Sequence, residues 1–129
     1  MPATTPDEIH ELFEKRFAAK DLDGLMELYE PNAIFLLQDG QIVSGTEAIR
    51  QIVSGFLAGA ESFELDHGSA VQTDGVALLQ HGWTLKGADP DGNRIEMTDR
   101  TAGVVRRQPE GTWLIAIDNP WSTGETTHP

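Results

Sequence analysis

The stretch GVALLQHGWTLKGADPDGNRIEMTDRTAGVVRRQ, residues 75–108, decides the architecture. Ala77, Leu79, His81, Trp83 and Leu85 fall on one face of an extended strand, and Leu78, Gln80, Gly82, Thr84 and Lys86 on the other. Side chains alternate with period two along a strand, so the more apolar first set is predicted to face inward. ADPDGN is a turn by composition. Beyond it Ile95, Met97, Asp99, Thr101, Gly103 and Val105 share a face, opposite Arg94, Glu96, Thr98, Arg100, Val104 and Arg106. A hairpin folded about Pro90 pairs Asp99 with His81 and Thr101 with Leu79, both on the inner side.

Downstream, Pro109-Glu110-Gly111 turns the chain into a last strand, GTWLIAIDNPW (111–121). Here Leu114, Ala116 and Asp118 share one face and Trp113, Ile115 and Ile117 the other. A strand apolar on both faces is covered on both. The expected cover is a second copy of the chain, giving a homodimer through the outer sheet face at Trp113, Ile115 and Ile117. Asp118 ends this strand, and a carboxylate is costly to bury unless something pairs with it. It is expected to face the interior opposite His81 or Asp99, or to take backbone N–H groups where the chain turns at Asn119-Pro120.

Upstream the period is helical. Thr5, Pro6 and Glu8 read as a capping box with proline at the first helical position. Ile9, Leu12, Phe13 and Phe17 follow at helical spacing. A second short helix is predicted from Asp21 through Tyr29, stopped by Pro31. AIFLL (33–37) and QIVS flank an Asp39-Gly40 hairpin turn, and Gly45-Thr46 opens a third helix carrying Ile49, Ile52, Val53, Phe56 and Leu57. SFELDHGSAVQT holds one strand, broken at Gly68. Helices followed by long antiparallel hairpins give an α+β fold, with helices on one face of a curved sheet. One domain spans residues 1–129, with an ordered core at 5–121 and a frayed tail at 122–129.

Apolar residues make up 39% of the 129-residue chain and charged residues 23%, a globular composition. Acids outnumber bases 21 to 9, for a net charge of −12. That balance disfavours nucleic acid and anionic membranes as partners. There is no cysteine, hence no thiol nucleophile or Cys-based zinc site. Neither a secretory leader nor an apolar run of about 20 residues is visible, so a cytoplasmic location is expected. No phosphate-cradling loop or nucleophile elbow occurs, and no cofactor is called for.

LYEPNAIFLLQDGQIVSGTEAIRQIVSGFL resembles the helix-strand-strand-helix signature of the SnoaL-like, or ketosteroid-isomerase-like, branch of the nuclear transport factor 2-like superfamily. The matching residues are Tyr29, Asn32, Ala33 and Phe35, then Gly45, Ala48, Ile49 and Arg50. VVRRQPEGTWLIAIDNPW is similar to the closing hairpin of that superfamily. The resemblance implies a cone: a strongly curved antiparallel sheet wrapped around three helices from the N-terminal half, with an apolar pocket at its open end. It also implies dimers through the outer sheet face. In true ketosteroid isomerases an aspartate stands where this chain has Leu37, and an acid where it has Gly103. Phe13 and Phe17 replace a tyrosine on the first helix. Steroid isomerisation by that route is therefore not expected.

Within such a cone, His81, Asp99 and Asp118 are the candidate catalytic residues, two carboxylates around one imidazole. An imidazole so held can shuttle protons near neutral pH, and its pKa is expected above about 6.5. Phe13, Phe17, Tyr29, Phe35, Leu37, Trp83, Met97 and Thr101 are the candidate substrate-binding residues. One His with two Asp is also a permissible metal-ligand set, but it comes without any local motif, and no metal is expected. His10, His67 and His128 read as surface residues, and Arg100, Arg106 and Arg107 as a solvated edge. Two functions fit. One is an acid/base enzyme (isomerase, cyclase or hydrolase-like) acting on an apolar or polyketide-like small molecule. The other is a non-catalytic ligand-binding or oligomerisation module.

Overall fold

A computed structural model describes residues 2–66 and 68–123; His67, His128 and the rest of the tail from 124 onward lie outside the described residues. The chain runs α1 (Asp7–Ala18), α2 (Leu22–Met26), β1 (Tyr29–Leu36), β2 (Ile42–Ser44), α3 (Thr46–Gly59), β3 (Ala60–Leu65), β4 (Ser69–Thr73), β5 (Val76–Ala88), β6 (Arg94–Arg107) and β7 (Trp113–Asp118). The seven strands form one curved sheet in the order β2-β1-β7-β6-β5-β3, with β4 also paired to β5. Every pairing is antiparallel except β1 with β7, which is parallel. This is the α+β architecture expected, three helices against one sheet face. Among the described residues no helix is long and apolar enough to cross a membrane.

The helix ends follow their local chemistry. Glu8 reaches back to the N–H groups of Thr4 and Thr5 at 2.6 and 3.2 Å, which is one half of a capping box. The Thr5 side chain makes no cap bond, and Pro6 occupies the cap. Asp21 caps α2 through the Gly24 N–H at 2.9 Å. This second helix ends earlier than its apolar spacing predicted. Tyr29 opens β1 instead, because Leu28 and Tyr29 are drawn to β7: the Ile115 N–H donates to the Leu28 carbonyl at 2.7 Å. Pro31 then lies within β1, where the ladder to β7 is irregular between Tyr29 and Ile34.

On β5, Ala77, Leu79, His81, Trp83 and Leu85 all face inward and are buried. The β5–β6 hairpin, however, centres one residue later than its turn residues suggested. Its loop is Asp89–Asn93, held by the Asp89 carboxylate accepting the N–H groups of Asp91 and Asn93 at 2.9 Å each. The register is therefore His81 with Thr101 and Trp83 with Asp99, two residues along from the pairing expected. A two-residue slip keeps every side chain on its face while changing its neighbour.

The last strand corrects the dimer surface. Val105 pairs Ile115 and Val104 pairs Ile117, so Ala116 is an extra residue, a β-bulge. Before the bulge Trp113 and Ile115 point into the core, only 2% and 6% exposed. After it Ile117 points out and Asp118 in. Trp113 and Ile115 therefore belong to this chain's own core and cannot lie in an interface. Ser122 and Thr123, expected to fray, are held by hydrogen bonds to Arg100 and Asp99.

Candidate active site

Helices α1 and α3 and the inner faces of β1, β3, β5, β6 and β7 line a half-open cavity of about 90 Å³. A water needs about 10–15 Å³ on the same measure, so this is space for a compact organic molecule. Of the expected binding residues, Phe13, Phe17, Phe35, Trp83 and Thr101 line it, joined by Phe56, Phe63 and Trp121. Leu37 and Met97 do not; they pack at the edge of the core. Tyr29 is buried behind the wall.

His81 and Asp118 both border this cavity. Asp99 does not. Its Oδ1 accepts from the Arg100 N–H at 2.6 Å, the Thr123 hydroxyl at 2.7 Å and the Thr123 N–H at 3.2 Å. The register displacement puts Asp99 across from Trp83, at the end of the sheet where the C-terminal segment folds back. The proposed trio is thus reduced to two.

Asp118 is held by a residue from the far end of the chain. The Tyr29 hydroxyl donates to Asp118 Oδ2 at 2.6 Å. Burial pushes the Asp118 carboxyl up to about 6, and the Tyr29 hydrogen bond only partly opposes this. The Tyr29 hydroxyl is itself pushed well above its ordinary value by burial and by the adjacent carboxylate. It stays protonated and remains a donor.

For His81 the charge argument fails. Its pKa is pushed down to about 4, first by burial and then by the neighbouring His10, with Arg100 adding to the effect and Asp66 opposing it. The expected rise above 6.5 needed carboxylates against the ring, and neither arrives: Asp99 is latched elsewhere and Asp118 is engaged by Tyr29. At neutral pH the imidazole carries no charge.

His10 is the residue that sequence reasoning misplaced. It lines the cavity with its ring centroid 5.3 Å from that of His81. The signal was available: His10 lies three and seven residues before Phe13 and Phe17, on the stripe α1 turns inward. The Nδ1 atoms of both imidazoles and the Trp121 Nε1 are buried without a hydrogen-bond partner among the described residues. Buried polar atoms are nearly always satisfied, so three orphans around one cavity call for an explanation. Among the described residues no group of three or more acidic, His or Cys side chains is placed to hold a metal ion.

Fold and site together define a class: a small α+β cone whose apolar cavity carries a few ionisable groups on its wall. The chain belongs to the SnoaL-like domain family, whose model matches residues 9–114. A tRNA (uracil(54)-C(5))-methyltransferase of Pyrococcus furiosus is 28% identical over 111 residues. That alignment takes in 86% of this chain but only 25% of the methyltransferase, so the chain spans about a quarter of this relative's length. Among solved structures, a proposed aromatic ring hydroxylase from Novosphingobium aromaticivorans superposes with a TM-score of 0.78 at 16% identity, covering 95% of this chain and 89% of that one. A proposed dehydratase of the NTF2-like family from Streptomyces avermitilis gives 0.72 at 14% identity, covering 87% and 90%. At such identities the likeness is one of fold.

Proposed function

We propose that this chain binds a compact, largely apolar small molecule in the cavity and moves a proton on it, with Asp118 as the general base. One observation carries the reading: a buried carboxyl raised to about 6 borders the same apolar cavity as two imidazoles with unpartnered Nδ1 atoms. A base whose pKa lies near the working pH is both ionised and strong enough to take a proton. Asp118 would remove a proton next to a substrate carbonyl. The neutral His81 imidazole would donate a hydrogen bond to the oxyanion that develops, a role burial strengthens. Return of the proton from Asp118 to a different atom completes an isomerisation, and departure of a neighbouring group completes an elimination.

Exchange of carbon-bound protons tests this without knowing the natural substrate. Phenylacetone, a compact ketone, is incubated with the protein in D2O and its benzylic signal followed by NMR. The wild type accelerates exchange, and Asp118→Asn loses at least about a hundredfold of that acceleration. No acceleration, or acceleration that survives Asp118→Asn, removes Asp118 as the base.

The module reading keeps one support of its own. Val71, Leu78, Val104, Ile117 and Ile34 are direct ladder partners across five strands, so their side chains form one apolar row on the outer sheet face. Val71 is 63% exposed and Ile117 36%. We propose that a second copy of the chain covers this row, a homodimer by the face expected but through different residues.

A further inference from the structure

Residues 119–123 double back across the end of the sheet and are fastened there. The Ala102 N–H donates to the Asn119 carbonyl at 3.0 Å, and the Trp83 Nε1–H to the Pro120 carbonyl at 2.7 Å. Ser122 donates its N–H and its hydroxyl to the Arg100 carbonyl, and Thr123 does the same to Asp99 Oδ1. Asp99 is only 4% exposed, so this latch is anchored in the body of the protein. The strap lays the Trp121 indole edge-on against Trp83, centroids 5.1 Å apart at 80°, and beside Phe56 at 6.3 Å. In that position it forms part of the cavity wall.

The two indoles differ in one respect. The N–H of Trp83 is satisfied by the strap, whereas the N–H of Trp121 is buried with no acceptor among the described residues. An indole nitrogen can only donate, and leaving such a donor buried and unbonded is costly. The cavity it borders is the place from which an acceptor can come. The remaining wall is largely apolar, five phenylalanines and Trp83 set among aliphatic side chains, which suits a flat apolar body, and about 90 Å³ limits that body to roughly one ring.

We infer that the strap, latched by Asp99, places Trp121 as both a closing wall and a hydrogen-bond donor, and that its ligand is a planar molecule of single-ring size bearing an acceptor oxygen, such as an aryl ketone. This rests on the cavity being a small-molecule site, as proposed above. Asp99 is then a positioning residue, acting through the strap rather than on the ligand.

Acetophenone and α-methylstyrene test it, because they share a shape and differ in the acceptor oxygen. With the ¹⁵N-labelled protein, acetophenone should bind about three- to tenfold more tightly, the worth of one net hydrogen bond. It should also move the Trp121 indole N–H resonance downfield, which α-methylstyrene should not. Trp121→Phe keeps the aromatic wall and should equalise the two probes. Retained Trp83 and Trp113 indole resonances would report that this variant is folded. Thr123→Val loosens the latch and should weaken both probes by the same factor, leaving their ratio intact. Equal affinities in the wild type, or a preference that survives Trp121→Phe, overturn the inference while leaving the pocket standing. A Thr123→Val ratio that collapses, or affinities that do not change, overturns the latch. If neither probe at millimolar concentration shifts any cavity residue, the small-molecule reading itself fails, and the inference with it.

Discussion

Tyr29, the first residue of the first strand, donates its hydroxyl to Asp118, the last residue of the last strand, across 2.6 Å in a buried position. The bond spans 89 positions of sequence; Tyr29 is the ladder partner of Ile115, while Asp118 pairs with Phe35, so the tyrosine side chain reaches along β7 to the carboxylate. It pulls the Asp118 pKa down against the larger effect of burial. Replacing Tyr29 with Phe should therefore raise the Asp118 pKa further above about 6. It should also cost about 1–3 kcal/mol of stability, the usual penalty for a buried group that loses its partner. A ¹³C carboxyl titration and a urea melt check the two effects separately.

The opposed shifts of His81 and Asp118 predict an unusual balance in acid. Between pH about 4 and 6.5 the unfolded chain holds an imidazole proton that the folded chain has lost, so His81 makes stability rise with pH. Between 3.8 and about 6 the folded chain holds a carboxyl proton that the unfolded chain has lost, so Asp118 makes stability fall with pH. The two contributions largely cancel over their shared window. His81→Gln should leave the Asp118 slope, with stability declining from pH 4 to 6. Asp118→Asn should leave the His81 slope, with stability climbing from pH 4 to 6.5. Each amplitude is roughly 3 kcal/mol, readable from urea midpoints at several pH values.

Phe17 is 5% exposed and sits 4.3 Å from the Phe63 ring centroid, yet it borders the cavity. Phe17→Ala removes a packed ring beside space that already exists. The loss should fall near the low end of the usual range for buried aromatics, about 3 kcal/mol by denaturant unfolding. A loss under about 1 kcal/mol would contradict the packing described.

The parts of the fold that sequence revealed are those where one periodicity runs unbroken. Ala77 through Leu85 on β5, and Ile49, Val53 and Leu57 on α3, lie on the faces their spacing predicted. The inward direction of Asp118 was legible too, though for an incomplete reason. Trp113 and Ile115 were misassigned because alternation reports a face only while the ladder is regular, and the bulge at Ala116 leaves no mark in a strand apolar on both sides. Asp99 was given the wrong neighbour because a slip of two residues preserves every face. Tyr29 read as helix because its tie to Asp118 is long-range. His10 was passed over as a polar residue on a helix, although its spacing from Phe13 and Phe17 already aimed it inward.

The outer row of Val71, Leu78, Val104 and Ile117 makes the assembly testable. Val71 is the most exposed of the row and pairs directly with Leu78. Sedimentation of the wild type at micromolar concentration should show a dimer, and Val71→Glu should shift it to monomer by placing a charge in a dry contact. A wild-type monomer would contradict the interface.

Burial, and not pairing with carboxylates, sets the protonation of the cavity: it keeps His81 neutral and raises the carboxyl of Asp118, the proposed base. NMR titration of the His81 imidazole between pH 3 and 8, in the wild type and in Asp118→Asn, measures this directly. The midpoint should lie near 4, and Asp118→Asn should leave it in place. A midpoint above the ordinary 6.5 that falls when Asp118 is neutralised would contradict it, by showing that the carboxylate and the imidazole form an ion pair after all.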